Sequence, residues 1–401
     1  MDFLDILTLN GGSSSLKFSL YRVTKDAEEC LLHGKFDRIG TPQSRLEVAA
    51  QGKAPRKEDA GGAPHLSHAV TYLLDHLPEL QGRSLHAIGH RVVQGGPRHR
   101  QPEVVTDSLL KDLEQAVPLD PLHLPDELCI LRTAQQGRPD LPHVVCFDTA
   151  FHESLPHVAR LLPLSAELTK DAALQRYGFH GLSYEFILGE LERLAGRQTA
   201  QEKIIIAHLG SGASMAAVVG GQCVETTMGF TPAAGLVMAT RPGDMDPGVW
   251  DYLLRTQTIT PEQLQSAIYR QSGLRGVSGK SGDVRDLLEI QEQDARARDA
   301  LDLFYHQAKK CLGGLIAVLD GVKTLVFTGG IGEHAPVPRA RICEALHHLG
   351  LRLDPALNQA NHGIISTADS TVTVRVIPTN EEVVIARHTA RLAQAAAQPI
   401  H

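Results

Sequence analysis

The stretch Asp5-Ile6-Leu7-Thr8-Leu9-Asn10-Gly11-Gly12-Ser13-Ser14-Ser15-Leu16-Lys17-Phe18-Ser19-Leu20-Tyr21 reads as two apolar strands joined by a Gly/Ser tip, a hairpin. Half a chain later the pattern returns. Ile204-Ile205-Ile206-Ala207-His208 leads into Gly210-Ser211-Gly212-Ala213-Ser214, then Met215-Ala216-Ala217-Val218-Val219 and the turn Gly220-Gly221. Two such units half a chain apart imply a duplicated architecture of two related domains. The length of 401 residues suits that division.

Outward from the two hairpins, helical spacing predicts helices over His68–Leu77, Ser108–Val117, Ser183–Ala195, Val284–Gln293 and Ala300–Leu319. Strands are expected at Val144–Cys146, Thr324–Phe327 and Thr371–Val376, each running into a polar or Gly-rich loop. The Ala-rich stretch Glu381–Ala397 should be a final helix. Thr41 to Pro64 is rich in Gly, Pro, Lys and Asp and reads as a surface loop or irregular insertion. Strands and helices mix through both halves, the signature of an α/β fold.

Composition narrows the function. Apolar residues at 42% and charged residues at 21% are globular values, which excludes global disorder. Glycine is in modest excess, 36 residues without a Gly-X-Y period, so it belongs to turns and ligand loops rather than collagen. Aromatics at 4% supply no stacking platform for single-stranded nucleic acid, and a net charge of −7 does not favour a phosphate-backbone binder. No nucleic acid partner is expected. The acidic start Met1-Asp2-Phe3-Leu4-Asp5 does not read as a secretory signal, and no apolar run is long enough for a membrane span. Six scattered cysteines without a Cys-x-x-Cys pair read as reduced thiols of a cytoplasmic protein.

Three Gly-rich junctions follow apolar strands: Asn10–Ser15, Gly210–Ser214, and Gly329-Gly330-Ile331-Gly332-Glu333 after Thr324–Thr328. Such loops let backbone N–H groups approach an anion. Two decoys fall away. Gly279-Lys280-Ser281 resembles the end of a Walker A loop, but Leu274 stands where its first glycine belongs. Ser14-Ser15-Leu16-Lys17 matches Ser-x-x-Lys but lies across the hairpin and lacks partner motifs.

Polar residues cluster beside these elements. Arg91 ends the apolar segment Leu85–Ile88 and its extension His90-Arg91-Val92-Val93. Asp148 follows the buried run Val144–Cys146, and His180 precedes an amphipathic helix. Arg241 and Asp244 sit in a Pro/Gly-constrained turn, while Thr379-Asn380-Glu381-Glu382 opens the final helix. Each has a bland reading. Asn380 or Thr379 is a helix N-cap with acids in the first turn, Arg241 and Asp244 are a surface pair, and His180 is one of 20 histidines. On composition alone the reading stops at an α/β protein with phosphate-binding loops.

Together, however, the segments resemble the acetate kinase (acetokinase) family nearly end to end. The resemblance is carried by Asn10-Gly11-Gly12-Ser13-Ser14-Ser15-Leu16-Lys17-Phe18-Ser19, His90–Val93, Phe147-Asp148-Thr149-Ala150-Phe151-His152 and Arg176-Tyr177-Gly178-Phe179-His180-Gly181. It continues through His208-Leu209-Gly210, Met228-Gly229-Phe230-Thr231-Pro232, Thr240-Arg241, Gly243-Asp244, Asp246-Pro247-Gly248, Phe327–Glu333 and Ile377-Pro378-Thr379-Asn380-Glu381-Glu382. It implies an α/β fold of two duplicated actin-like ATPase (ribonuclease H-like) domains around a central cleft. The domains would be 1–150, with the C-terminal helix 384–401 packing back on it, and a nucleotide-binding domain 151–383.

The implied reaction is reversible transfer of the ATP γ-phosphoryl group to acetate, with ADP as the other product. Asp148, His180, Arg241 and Arg91 are then the catalytic residues. Arg91, Val93, Leu122, His123, Phe179 and Pro232 hold the acyl substrate. Lys17, His208, Gly210, Ser211, Gly212, Asp283, Val284, Arg285, Gly330, Ile331, Gly332, Glu333 and His334 meet the nucleotide. Asn10 and Glu381 hold Mg²⁺, with Mn²⁺ as a substitute. A homodimer and no membrane partner are implied too. A carboxylate is ionised at neutral pH, so the acceptor needs no general base; it needs relief from repulsion, which two arginines supply.

This chain departs from the family pattern in places. Leu124 and Ser211 stand for asparagines, Gln94 for the histidine of His-Gly-Gly, and Leu182 and Tyr184 for the Thr and His of Gly-Thr-Ser-His. Pro242 replaces a small polar residue and His334 an asparagine. These leave open another phosphoryl donor and a propionate or butyrate acceptor. A non-enzymatic nucleotide switch is the alternative of another class, against which the retained arginines and His180 argue.

Overall fold

The computed structural model describes residues 3–12, 14–59, 63–77, 80, 82–170 and 173–397. Expectations that touch Met1, Asp2, Ser13 and residues 398–401 lie outside them. The chain divides into two compact units, Met1–Ala150 with Asn380–His401, and Phe151–Thr379.

The first unit opens with the hairpin β1 (Leu4–Gly12) and β2 (Ser15–Val23), which pair antiparallel with Asn10 opposite Lys17 and Gly12 opposite Ser15. There follow β3 (Glu28–Asp37), β4 (Arg45–Ala50), β5 (Arg56–Asp59), α1 (Leu66–His76), β6 (Ala87–Val92), β7 (Glu103–Val104), α2 (Asp107–Ala116), α3 (Leu124–Gly137) and β8 (His143–Phe147). The strands form one sheet in the order β5-β4-β3-β2-β1-β6-β8-β7, with β1, β6 and β8 parallel. Helix α1 packs on one apolar cluster, where Leu7, Phe18, Phe36 and Leu73 are buried. Helices α2 and α3 share another with Val92, Val145 and Phe147.

The stretch expected as an irregular insertion, 41–64, instead contributes β4 and β5 to the sheet edge. Its Arg45-Leu46-Glu47-Val48 alternates, and Leu46 and Val48 point into the core. The alternating run is short, and flanking Gly and Pro conceal it.

The second unit carries α4 (His157–Arg160), α5 (Gly181–Ala195), α6 (Arg197–Ala200), β9 (Ile204–Leu209), β10 (Ala213–Val219) and β11 (Gln222–Thr226). It continues with α7 (Pro247–Arg255), α8 (Pro261–Arg270), α9 (Gly273–Ser278), α10 (Val284–Ile290), α11 (Ala295–Val318), β12 (Thr324–Thr328), α12 (Gly329–His334), α13 (Pro336–Cys343), α14 (Pro355–Gln359) and β13 (Thr373–Val376). Its sheet order is β11-β10-β9-β12-β13, with β9, β12 and β13 parallel. This is the same plan as β3-β2-β1-β6-β8, a hairpin-linked antiparallel set followed by two parallel strands. The repeat seen in the sequence is therefore a repeat of topology.

Helix α15 (Glu381–Ala397) returns the chain to the first unit and lies against β1, β6, β8 and β2. Asn380 caps it, its Oδ1 accepting from the Val383 N–H at 3.1 Å while also meeting the Tyr21 hydroxyl. The bland reading of Asn380 as an N-cap thus holds. Among the described residues no helix is long and apolar enough to cross a membrane, and all six cysteines are free.

Candidate active site

In the first unit the ends of β1, β6 and β8 and the start of α15 bring four predicted residues together. Arg91 leaves β6, and its Nε and Nη2 donate to the two Asp148 oxygens at 2.9 and 2.6 Å. Asp148 follows β8 directly and is 1% exposed. Arg91 Nη1 donates to Asn10 Oδ1 at 3.2 Å, and Nε lies 3.9 Å from Glu381 Oε2. Asn10 Nδ2 in turn faces Glu381 and Glu382, each at 3.3 Å. The Nε/Nη2 fork of Arg91 is thus spent on Asp148. An acceptor carboxylate would meet the remaining Nη N–H groups instead.

Burial works against the Arg91 cation, but Asp148 and Glu381 outweigh it and push its ionisation up. Burial raises the Glu381 carboxyl, with Arg91 opposing and Asp148 and Glu382 reinforcing. Asn10, Glu381, Glu382 and Asp148 are an all-oxygen donor set of the hard kind Mg²⁺ takes. Among the described residues no three His, Cys, Asp or Glu close into a metal cage. Mg²⁺ that keeps waters and phosphate oxygens needs only one or two carboxylates, so these residues fit it.

Glu127 escaped the sequence reading. It lies on α3, buried, and its Oε2 accepts from the Val93 N–H at 3.0 Å. Oε1 has no hydrogen-bond partner among the described residues. Burial pushes its carboxyl up to about 8, against the pull of Arg91 and the Val93 bond. An unfolded glutamate releases its proton near 4.5, so between that and about 8 the unfolded chain binds fewer protons than the folded one. Stability should fall as pH rises through this window. Glu127→Gln, which keeps the shape without the titration, should flatten the fall of melting temperature across it. An identical slope in the variant would show that Glu127 is ionised in the folded protein.

The other first-unit expectations are plainer. Val93 is buried, Leu122 half-buried and Lys17 exposed on β2. His123 Nδ1 meets Asp120 Oδ1 at 2.9 Å just before α3. Helix α3 itself was missed because Pro125 obscures its start, although proline is at home in a first turn. Gln94 accepts from the Gly96 N–H, closing the turn where the family pattern has a histidine.

In the second unit the hairpin β9–β10 carries Gly210-Ser211-Gly212 at its tip. His180 precedes α5 in a left-handed conformation, φ 59°, which a non-glycine residue adopts only under restraint. Two backbone contacts supply it: His152 Nε2 donates to the Phe179 carbonyl at 2.9 Å, and the Tyr184 N–H bonds back to the His180 carbonyl. The His180 and His208 rings stack with centroids 4.3 Å apart. Two imidazolium ions at that spacing would repel by roughly 4 kcal/mol at an effective dielectric of ~20, which disfavours a positive charge on both rings at once.

Each ring is oriented by a serine. Ser214 Oγ lies 2.8 Å from His180 Nδ1, and Ser183 Oγ lies 2.8 Å from His208 Nδ1 and 2.8 Å from Thr379 Oγ1. Arg241 donates from Nη1 to the Pro232 carbonyl at 2.7 Å. A methyl placed on Gly212 would stand 3.2 Å from Arg241 Nη2 and 3.3 Å from His180 Nε2, so both side chains border this backbone. Behind them Gly273 (φ 64°) lets α9 approach, because a Cβ there would meet the Met238 and Arg241 carbonyls. Asp244 accepts from the Gly235 N–H and ties the Arg241 turn down.

The expected Gly-rich loop at 329–333 is instead the start of helix α12, entered directly from β12 with Gly329 at φ 75°. Glu333 Oε1 accepts from the Gly329 and Thr379 N–H groups at 2.9 and 3.1 Å, which makes it structural cement as well as a nucleotide candidate. Gly330 is exposed, Ile331 half-buried, Gly332 buried, and the His334 side chain 76% exposed. Arg339, unanticipated, is buried with no carboxylate partner among the described residues; it donates to the Gly332 carbonyl at 2.8 Å and to Asn358, and burial pulls it down to about 10.

Asp283 caps α10 and pairs locally with exposed Arg285, while Val284 is core. The Walker-like Gly279-Lys280 is accounted for too: Gly279 is the left-handed cap of α9 and Lys280 pairs with Asp294. Phe179, next to His180 in sequence, and Pro232, whose carbonyl accepts from Arg241, are both buried.

The profile of the Acetokinase family matches residues 5–387. The chain is 41% identical over 397 residues to the acetate kinase of Rhodopseudomonas palustris, covering 97% of this chain and 98% of that one. It is 37% identical over 408 residues to the acetate kinase of Thermotoga petrophila, covering 98% and 99%. Among solved structures it resembles the acetate kinase of Porphyromonas gingivalis, with a TM-score of 0.86 and 32% identity over 97% of this chain and 99% of that one. It also resembles a propionate kinase of Francisella tularensis, with a TM-score of 0.89 and 33% identity over 97% and 100%.

Proposed function

We propose, since the chain belongs to the acetokinase family, that it transfers the γ-phosphoryl group of ATP reversibly and directly to acetate, giving acetyl phosphate and ADP. The observation that supports this most is the convergence of Arg241 and His180 on Gly212 at the tip of a strand–turn–strand unit. A cation and a hydrogen-bond donor bordering backbone N–H groups are what a transferring phosphoryl group needs as charge spreads over its equatorial oxygens.

Acetate attacks as the carboxylate it already is. Arg91, held by Asp148, offers its remaining N–H groups to that carboxylate, and Val93, Leu122, Phe179 and Pro232 are the residues the family pattern assigns to the methyl. Arg241 offsets the repulsion between acceptor and phosphate. His180 donates to a phosphoryl oxygen, His208, Gly210, Ser211 and Gly212 line the phosphate path, and Lys17 is assigned to the nucleotide as well. Asp283, Val284, Arg285 and Gly330–His334 serve ribose and adenine, and His123 stays beside Leu122. Asn10 and Glu381 would hold Mg²⁺, or Mn²⁺ in its stead, which supplies charge neutralisation on the phosphate oxygens when bound. Six free cysteines fit a cytoplasmic protein. The homodimer implied by the family is read by light scattering.

A propionate acceptor is the second reading, favoured by the resemblance to a propionate kinase. One methylene changes selectivity by only about 1–3 kcal/mol. Trapping the acyl phosphate with hydroxylamine, across acetate, propionate and butyrate and with ATP, GTP and pyrophosphate, decides between them. Acetate with ATP should have the highest kcat/KM. Tight ATP binding by folded, Mg²⁺-loaded protein that forms no acyl phosphate would refute the enzyme reading.

A further inference from the structure

We infer that Tyr184, acting through Ser214, fixes the proton of His180 on Nε2, so that a neutral imidazole is the donor presented toward Gly212. The three groups form one chain, buried up to the half-buried imidazole: the Tyr184 hydroxyl lies 2.5 Å from Ser214 Oγ, and Ser214 Oγ lies 2.8 Å from His180 Nδ1. Tyr184 and Ser214 are both fully buried, so bulk water does not replace either contact.

The direction of the chain follows from acidity. A phenol is a far stronger acid than an alkanol, hence the better donor and the poorer acceptor. Tyr184 therefore donates to Ser214 Oγ, and the single serine proton goes on to His180 Nδ1. Bonds running one way polarise each other and strengthen both. The opposite direction would spend the serine proton on the poor acceptor and require a proton on Nδ1. With Nδ1 accepting, the neutral ring carries its proton on Nε2.

The groups around His180 in this unit favour the neutral ring. His208 on β9 is stacked against it, and Ser214 on β10 stands opposite His208 in the strand register. Arg241 Nη2 borders the same glycine as His180 Nε2. A second positive charge on His180 would face both. Tyr184 stands where the family pattern has a histidine, which titrates near neutrality, whereas a phenol keeps its proton to about 10. The relay in this chain therefore keeps one direction across the neutral range. Tyr184 touches no substrate; it is a positioning residue.

That the donated bond meets a phosphoryl group rests on the function proposed above; the tautomer does not. The test is long-range proton–nitrogen spectroscopy of the full chain labelled with ¹⁵N-histidine, at neutral pH, with His180 identified by the signals lost in His180→Gln. The wild type should show the Nε2–H pattern. Tyr184→Phe, which keeps the ring and its packing, should give a mixture of tautomers. It should also lower kcat about tenfold, the worth of one ordinary hydrogen bond, with KM for acetate and ATP unchanged.

An Nδ1–H pattern in the wild type would overturn the inference outright. So would a Tyr184→Phe protein with unaltered tautomer and unaltered kcat. Ser214→Ala should abolish the preference for either nitrogen. If it does so while Tyr184→Phe does not, the serine alone sets the proton and the role of Tyr184 is refuted. A wild type with the Nε2–H pattern but no kinase activity would refute the function and leave the relay standing.

Discussion

Arg241→Ala should lower kcat by about 10²–10³-fold, the usual cost of removing one preorganised group at a site of developing charge. ATP affinity, measured by calorimetry, should hardly change, because the loss falls on the transition state. The structure adds a control. Arg241 already spends Nη1 on the Pro232 carbonyl, so its guanidinium spans two duties, bracing that turn and bordering Gly212 with Nη2. Arg241→Lys keeps the charge but cannot span both. It should recover little of the rate, and an unchanged kcat in the alanine variant would remove Arg241 from the mechanism.

The second large effect concerns Arg91. Its partner Asp148 is buried, and Glu381 and Glu127 act on the same cation. Removing one member of a buried pair typically costs about 3–5 kcal/mol, since the other charge remains without compensation. Arg91→Ala should lose stability of that order in urea titration, together with activity. Asp148→Ala should cost less, because Arg91 keeps Asn10 at 3.2 Å and Glu381 at 3.9 Å. Equal losses in the two variants would mean that the surrounding carboxylates do not matter to the Arg91 cation.

Much of the fold was legible because it is local. Each hairpin is a pair of apolar strands around a glycine turn, and the spacing of the two revealed the duplication that the sheet orders repeat. Asn380 announced its helix cap by type and position. What escaped was short or masked. Strands β4 and β5 hide among Gly and Pro, and α12 begins at glycines that look like a loop but turn a strand straight into a helix. Among the candidate residues, Arg91, Asp148, His180 and Arg241 were singled out by motifs. Glu127 and Arg339 were not, because nothing in their own neighbourhoods sets them apart from ordinary helix residues, and Ser214 stood out only as the end of a Gly-rich junction.

By itself, then, the sequence determined the strands, the turns, the duplicated plan and the family, all of which depend on contacts between near neighbours or on ordered motifs. Only the tertiary structure decided which side chains share an environment. Asn10 and Glu381 meet across 371 residues, and Arg91 and Asp148 across 57. The Glu127 carboxyl is pushed up because α3 buries it against the end of β6. His180 is restrained by His152 and Ser214, each from another segment. Charge state and ring orientation depend on the dielectric and the partners around an atom, and the folded chain supplies both from positions that no local pattern connects.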